Sequence, residues 1–109
     1  MPRALVIKPD GSHFYLRYAE SDIDTLKEYG CSMTGFQIPP YVYVFNYSGQ
    51  STGEFNVEGS DVMGQDNVNQ IRGDFVVTKY LDGLPMDVSY EEFSRIRNSQ
   101  RRWSFCSIL

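Results

Sequence analysis

The sequence predicts an α+β fold: a single small domain with one mainly antiparallel sheet, a short helix after the first hairpin and a C-terminal helix packed on the sheet. Three observations lead to this expectation. The chain has 109 residues, the length of one domain. Of its residues, 41% are apolar and 15% aromatic, enough to build a core. Short alternating runs separated by turn residues precede a final segment with helical periodicity. We therefore treat residues 1–109 as one domain.

The first predicted element is a β-hairpin. An apolar run over residues 4–8 ends at Pro9-Asp10-Gly11, where proline fixes φ and glycine accepts a positive φ. The returning run, residues 13–18, has the period of two that is typical of a half-buried strand. Its alternation assigns Phe14, Leu16 and Tyr18 to the core and His13, Tyr15 and Arg17 to the wetter face. We expect His13 to be an ordinary surface histidine, because the sequence places no nucleophile or orienting group beside it.

A short helix and two further strands are predicted next. The helix begins at Ser21, which can cap it, and ends at Gly30. The strands cover residues 31–38 and 41–47 and flank a pair of prolines. Because proline cannot donate to a ladder, this junction predicts a bend or a sheet edge.

The second of these strands carries a row of aromatic residues. Tyr41, Tyr43, Phe45 and Tyr47 share one face of the strand. Such a row can pack in a core or an interface, stack on nucleobases, or contact a protein partner. A protein that stacks on nucleobases also needs basic residues along the path of the nucleic-acid backbone, and this sequence lacks them beside the aromatic row. We predict core or interface packing and keep the four rings as weak candidates for binding.

Residues 48–74 are predicted to be the least regular part of the domain. The segment is polar and holds five of the nine glycines, at spacings that match neither a phosphate loop nor a dinucleotide motif. Within it, Phe55 and Val57 predict a short strand, and residues 66–71 predict one helical turn.

The elements near the end of the chain have the clearest sequence signals. Residues 74–81 are rich in β-branched and aromatic side chains and end at Asp82-Gly83, which predicts a strand and a hairpin return through Leu84 and Met86.

A final helix follows this hairpin. Ser89 and Glu92 form a capping box, and Val88 with Phe93 stands at the positions of a hydrophobic staple. The residues predicted to face the sheet are Phe93, Ile96, Gln100 and Trp103, and we expect Trp103 to be at least partly buried.

The charges divide the chain into an acidic body and a basic end. The formal net charge is −4, and all 14 acidic residues lie at or before Glu92. Four arginines follow it: Arg95, Arg97, Arg101 and Arg102. An acidic body disfavours nucleic acid and anionic membranes as partners. We expect the arginines to form the solvated side of the helix, some pairing with the body.

The sequence offers little for catalysis or metal binding. His13 is the only histidine, and the two cysteines, Cys31 and Cys106, belong to no metal-ligand spacing. We expect no enzymatic activity, no cofactor and no metal. Since the sequence shows no signal peptide and no apolar run of membrane-spanning length, we expect a cytoplasmic protein without a transmembrane segment.

The predicted tail, residues 104–109, leaves three interpretations open. Cys106-Ser107-Ile108-Leu109 has the form of a prenylation box, with Cys106 as the lipidation site. The last three residues also suit a C-terminal carboxylate ligand of PDZ type. The alternative that we favour is docking of this apolar tail on the domain.

The opening run A-L-V-I-K-P-D-G-S and the later run N-x-x-x-I-x-G-D-F-V-V-T-x-x-x-D-G resemble a family of small uncharacterised accessory proteins, a domain of unknown function, carried by phages, large DNA viruses and mobile elements. The resemblance places Gly73, Asp74, Val76 and Val77 on the closing strand motif of that family. It implies an accessory protein that acts in the host cytoplasm, and it brings no catalytic residues.

Two functions follow as hypotheses. The first is a non-enzymatic viral or mobile-element protein that binds a host or viral protein, for example in counter-defence, with a homodimer left open. The alternative is a protein that binds or sequesters a small ligand in a tyrosine-lined pocket.

Overall fold

The computed structural model describes residues 2–18, 32–48, 53–63 and 71–106; for residues 32–34, 48 and 100–106 it describes the backbone alone. Within these ranges the predicted α+β fold with one antiparallel sheet is confirmed. The strands are β1 (Arg3–Ile7), β2 (His13–Arg17), β3 (Ser32–Ile38), β4 (Tyr41–Ser48), β5 (Arg72–Leu81) and β6 (Leu84–Met86). The helices are α1 (Val57–Met63) and α2 (Tyr90–Cys106). The short helix predicted over residues 21–30 lies outside the described residues.

The sheet is centred on β5. Its strand order is β2-β1-β5-β4-β3, and β6 pairs with β5 off this path. Every pairing is antiparallel. The predicted hairpin turns are present: Gly11 has φ +91°, and Asp82 and Gly83 have φ 50° and 80°. Two consecutive positive φ values are the signature of a two-residue type I′ turn, whose twist matches that of the strands it joins.

Both faces of the sheet carry buried clusters. The helices cover one face, where the buried cluster comprises Leu5, Ile7, Tyr43, Phe45, Val62, Ile71, Phe75, Val77, Val88, Phe93 and Ile96. On the other face Ala4, Val6, Tyr18 and Val76 form a smaller cluster. Most of β1 and the middle of β5 are therefore buried on both sides, which explains their apolar runs, residues 4–7 and 75–77.

The predicted faces of β2 are wrong in part. Phe14, assigned to the core, is 37% exposed, whereas Tyr15, assigned to the wetter face, packs against the helix-side cluster. Leu16 and Tyr18 belong to the cluster on the opposite face. The alternation is real, but it cannot mark inside and outside where both faces of the sheet bury side chains. His13 is exposed as predicted, and its ring stacks on that of Tyr90.

The segment predicted to be irregular contains the helix α1. Phe55 makes an isolated bridge to Arg72, but Val57 begins a helix, so the predicted strand through Val57 is wrong. Asn56 explains the change: its side-chain oxygen accepts a hydrogen bond from the Gly59 amide (3.0 Å), which caps the helix. Of the helical turn predicted over residues 66–71, all but Ile71 lies outside the described residues.

The start of α2 matches its prediction at the Ser89 cap and the hydrophobic staple, and its end does not match. The Ser89 hydroxyl accepts a hydrogen bond from the Glu92 amide (3.1 Å), and Val88 and Phe93 are both buried. The helix continues through Cys106, so the tail predicted from residue 104 is helical over its first three residues. The side chains of Trp103 and Cys106 lie outside what the structure describes. The predicted burial of Trp103 and the predicted lipidation of Cys106 therefore stay predictions.

Tyr18 joins the end of β2 to the β5–β6 hairpin. Its buried hydroxyl lies 2.7 Å from the carbonyl oxygen of Lys79 and 2.8 Å from that of Met86, and it accepts hydrogen bonds from the amides of the same two residues.

We expect Tyr18→Phe to lower the free energy of unfolding by about 1–2 kcal/mol, because these groups lose a buried partner. Urea unfolding measures the change. Tyr80→Phe, at a half-buried neighbour on the same face, is the control, and an equal loss in both variants would contradict the assignment.

Candidate groove beside the edge strand

An open groove of about 360 Å³ lies where the β3–β4 hairpin meets α2. The hairpin contributes Ile38, Pro39, Tyr41 and Tyr43, and the helix side contributes Ser89, Glu92, Arg95, Ile96 and Ser99. The volume falls at the lower end of the range for small-molecule sites, and the lining of this open groove mixes apolar side chains with several polar ones.

Tyr43 and Glu92, which line this groove, form a polar cluster with Lys79. The Lys79 ammonium lies 2.7 Å from a Glu92 carboxylate oxygen. The Tyr43 hydroxyl donates a hydrogen bond to the same oxygen. The ammonium also lies 4.1 Å from the centre of the Tyr41 ring, a cation–π contact. Glu92 therefore does not reach back to its own helix cap as a capping box predicts, because Lys79 and Tyr43 bind it instead.

Burial raises the pKa of the Tyr43 hydroxyl well above its ordinary value of 10.0, and the hydrogen bond to Glu92 and the charge of that carboxylate raise it further. A phenolate at this position would lose its hydration and face a carboxylate that accepts but cannot donate. The hydroxyl thus remains a donor, and it holds Glu92 against Lys79.

This raised pKa predicts a dependence of stability on alkaline pH. The folded-state pKa of Tyr43 exceeds its unfolded value of 10.0, so the contribution of this group is complete below pH 10 and is lost as pH rises through the folded-state pKa. We expect the free energy of unfolding to fall above pH 10 and to fall less steeply in Tyr43→Phe. Tyr80→Phe is the control. Urea unfolding across this pH range tests the expectation, and identical slopes in wild type and Tyr43→Phe would contradict it.

Arg95 supplies the groove with an exposed cation. Among the described residues it makes no ion pair, although Glu91 stands one turn before it on α2. Its side chain lines the groove together with those of Tyr43 and Glu92. With Lys79 and Glu92 compensating each other, Arg95 makes the groove favourable for an anionic group.

The aromatic row of β4 is divided between the core and the groove. Tyr43 and Phe45 are only 4% and 2% exposed, and Tyr41 and Tyr47 are half-buried against the same cluster. These positions match core packing and leave no open row of rings on which bases could stack. Tyr41 and Tyr43 are the members that reach the groove.

A second charged cluster joins the two helices. Arg97 of α2 lies 3.0 Å from Glu58 and 3.4 Å from Asp61, both on α1. The Tyr90 hydroxyl donates to Glu58, and this bond is the main cause of a raised pKa of that tyrosine. The Tyr90 ring in turn stacks on His13 at 4.3 Å. Arg97 therefore pairs with the acidic body, and the cluster fastens α1 to α2.

The outer edge of β3 lies beside the groove. On its inner side β3 pairs with β4 from Ser32 to Ile38, and no strand in the part of the chain that the structure describes pairs with its outer side. All seven residues of β3 are uncharged. By contrast β2, the strand at the opposite edge, ends in Arg17. An uncharged edge strand whose outer side has no strand partner among the described residues is a template for a further strand.

Comparison with models of protein families, with curated proteins and with solved structures found no match to this chain. Of the residues on which the expected resemblance rests, the opening run covers most of β1, and Gly73, Asp74, Val76 and Val77 lie in β5. Val76 and Val77 are fully buried on opposite faces, and Asp74 pairs with Lys8 at 3.4 Å. Among the described helices, none is long and apolar enough to cross a membrane. Over the same residues, no three potential metal-ligating side chains form a group.

Proposed function

We propose that this protein is a non-enzymatic accessory domain that binds an extended segment of a partner protein along the outer edge of β3. The observation that carries the proposal is the uncharged edge strand, whose end at Ile38 lines the groove. A segment that joins such an edge forms main-chain hydrogen bonds, and its alternate side chains enter neighbouring pockets. The resemblance to accessory proteins of phages, viruses and mobile elements supports a host or viral partner in the host cytoplasm.

The proposal is tested with peptides displayed from a random library and selected on the purified protein. Binding should protect backbone amides of β3 from hydrogen exchange and leave those of β2 unchanged, because only the β3 edge gains a ladder. Selected peptides that protect other surfaces instead would exclude this edge as the binding site.

Proline substitutions separate edge pairing from loss of fold. Consecutive strand residues direct their amides to opposite sides, so one of Thr34→Pro and Gly35→Pro removes an outward donor while the other breaks the ladder with β4. The variant that retains the wild-type circular dichroism spectrum should lose peptide binding. If it binds as well as wild type, the proposed mode is wrong.

A second copy of this chain could use the same edge. Light scattering distinguishes this outcome: a dimer that the tolerated proline variant dissociates would identify β3 as the contact between two copies.

The groove itself favours a second candidate function, the binding of a small molecule between Tyr41, Tyr43 and Ile96. A fragment screen by protein-observed NMR separates the two. A small ligand should shift groove resonances without protecting β3 amides, whereas a bound segment should do both.

A further inference from the structure

The face of β3 that meets α2 determines which side chains of a bound segment reach the groove. Phe36 pairs with Tyr43, and Ile38 pairs with Tyr41, so these four residues lie on the helix side of the sheet. Adjacent strands run about 4.8 Å apart with their side chains aligned, and residues i and i+2 of one strand share a face. A segment paired with β3 therefore presents every second side chain to the helix side of the sheet, and those opposite Ile38, the β3 residue that lines the groove, lie nearest to it.

The groove offers those side chains two different environments. At the hairpin end are apolar groups, including Ile38, which is 40% exposed, and Pro39. On the helix side is Arg95, an exposed cation without an ion-pair partner among the described residues. Glu92 does not compensate Arg95, because its carboxylate is bound by Lys79 and Tyr43. One environment suits an apolar side chain, and the other suits a carboxylate.

We propose that the groove selects segments in which a bulky apolar residue and an acidic residue stand two positions apart. The apolar side chain packs on Ile38 and Tyr41, and the carboxylate pairs with Arg95. Two positions correspond to about 6.6–6.8 Å along a strand, a span that lets both side chains enter one groove. This inference rests on the proposed function, since it assumes a segment paired with β3, and it adds the chemistry that the partner must supply.

The test uses three fluorescein-labelled peptides of about eight residues with a background of alternating threonine and valine. The first carries phenylalanine and glutamate two positions apart. The second has lysine in place of the glutamate, and the third has the glutamate directly next to the phenylalanine, on the opposite face. Fluorescence anisotropy with the full-length protein should show the first peptide binding about tenfold more tightly than either of the others.

Charge reversal identifies the residue responsible. In Arg95→Glu the order of the glutamate and lysine peptides should invert, whereas Arg17→Glu, which reverses an exposed arginine on the opposite edge strand, should leave the order unchanged. Equal affinity for the three peptides, or an order that Arg95→Glu leaves intact, would overturn the inference.

The tolerated β3 proline variant separates the two proposals. If the peptides bind wild type with equal affinity and the proline variant abolishes all binding, the edge function stands and the selectivity is wrong. If the glutamate peptide is preferred equally in wild type and in the proline variant, the groove selects the acidic peptide by its charge. That peptide then does not bind as a strand paired with β3. Absence of binding by all three peptides would contradict the selectivity, while peptides from the random library continue to test the edge.

Discussion

Replacing Asn56 with alanine is expected to lower the free energy of unfolding by about 3 kcal/mol. The side chain is fully buried between the start of α1 and the strands β1 and β5. Its amide nitrogen donates to the carbonyl oxygens of Ile7 (3.0 Å) and Gly73 (2.8 Å), and its oxygen accepts from the Gly59 amide. Alanine removes the helix cap, worth about 1 kcal/mol, and two buried hydrogen bonds of about 1 kcal/mol each.

Asn56→Ser separates these contributions. Serine can still cap α1, but its short hydroxyl cannot also donate to both carbonyls, so we expect about two thirds of the alanine effect. Urea unfolding followed by circular dichroism measures both variants. Changes below about 0.5 kcal/mol in both would show that Asn56 does not hold α1 on the sheet.

Gly59→Val should destabilise the domain by about 3 kcal/mol. A Cβ atom at this position would lie 2.9 Å from ring atoms of Phe75 and 3.2 Å from a methyl group of Ile71. Both neighbours are buried, and the contacts fall on the inner ring atoms of Phe75 rather than on the end of a flexible chain. The cost of this overpacking exceeds the gain of less than about 1 kcal/mol from replacing glycine within a helix.

The same substitution at Gly35 is the matched control. No atom lies within 4 Å of a Cβ built there, and the residue is exposed on β3. Valine favours strand backbone, so Gly35→Val should leave stability unchanged or raise it slightly. Comparable losses at the two glycines would show that the loss of glycine itself, and not the approach of α1 to Phe75, causes the effect.

Sequence reasoning located the strands because their signals are local. Alternation and the turn residues at Gly11 and Gly83 bring neighbouring segments together without information from elsewhere in the chain. The helix α1 was missed for the opposite reason. Val57 favours a strand and Gly59 disfavours a helix, yet the glycine is required by contact with Phe75, whose position only the fold reveals. The one local signal was Asn56, a good helix cap.

Individual residues of the candidate groove could be predicted from the sequence, but their arrangement around the groove could not. The alternation of β4 placed Tyr41 and Tyr43 on one face, but which rings reach a groove depends on where α2 crosses the sheet. Glu92 was assigned to its own helix cap from a local motif. In the fold the ammonium of Lys79 is near enough to compete, and an ion pair with an added phenol bond is a stronger partner for a carboxylate than one amide.

The central position of β5 has a consequence for synthesis of the chain. Its partners include β1, where Val6 pairs with Val76, and β4, where Tyr43 pairs with Lys79. At about 5–20 residues per second, a ribosome exposes the β1–β2 hairpin for seconds before β5 exists. During that interval Leu5 and Ile7 have neither the neighbouring strand β5 nor the helices that cover this face, and pairings this distant in sequence form slowly. The nascent chain therefore remains prone to aggregation until β5 and then α2 have emerged, and a chaperone that shields the first hairpin should raise the yield of folded protein more than one that acts on the finished chain.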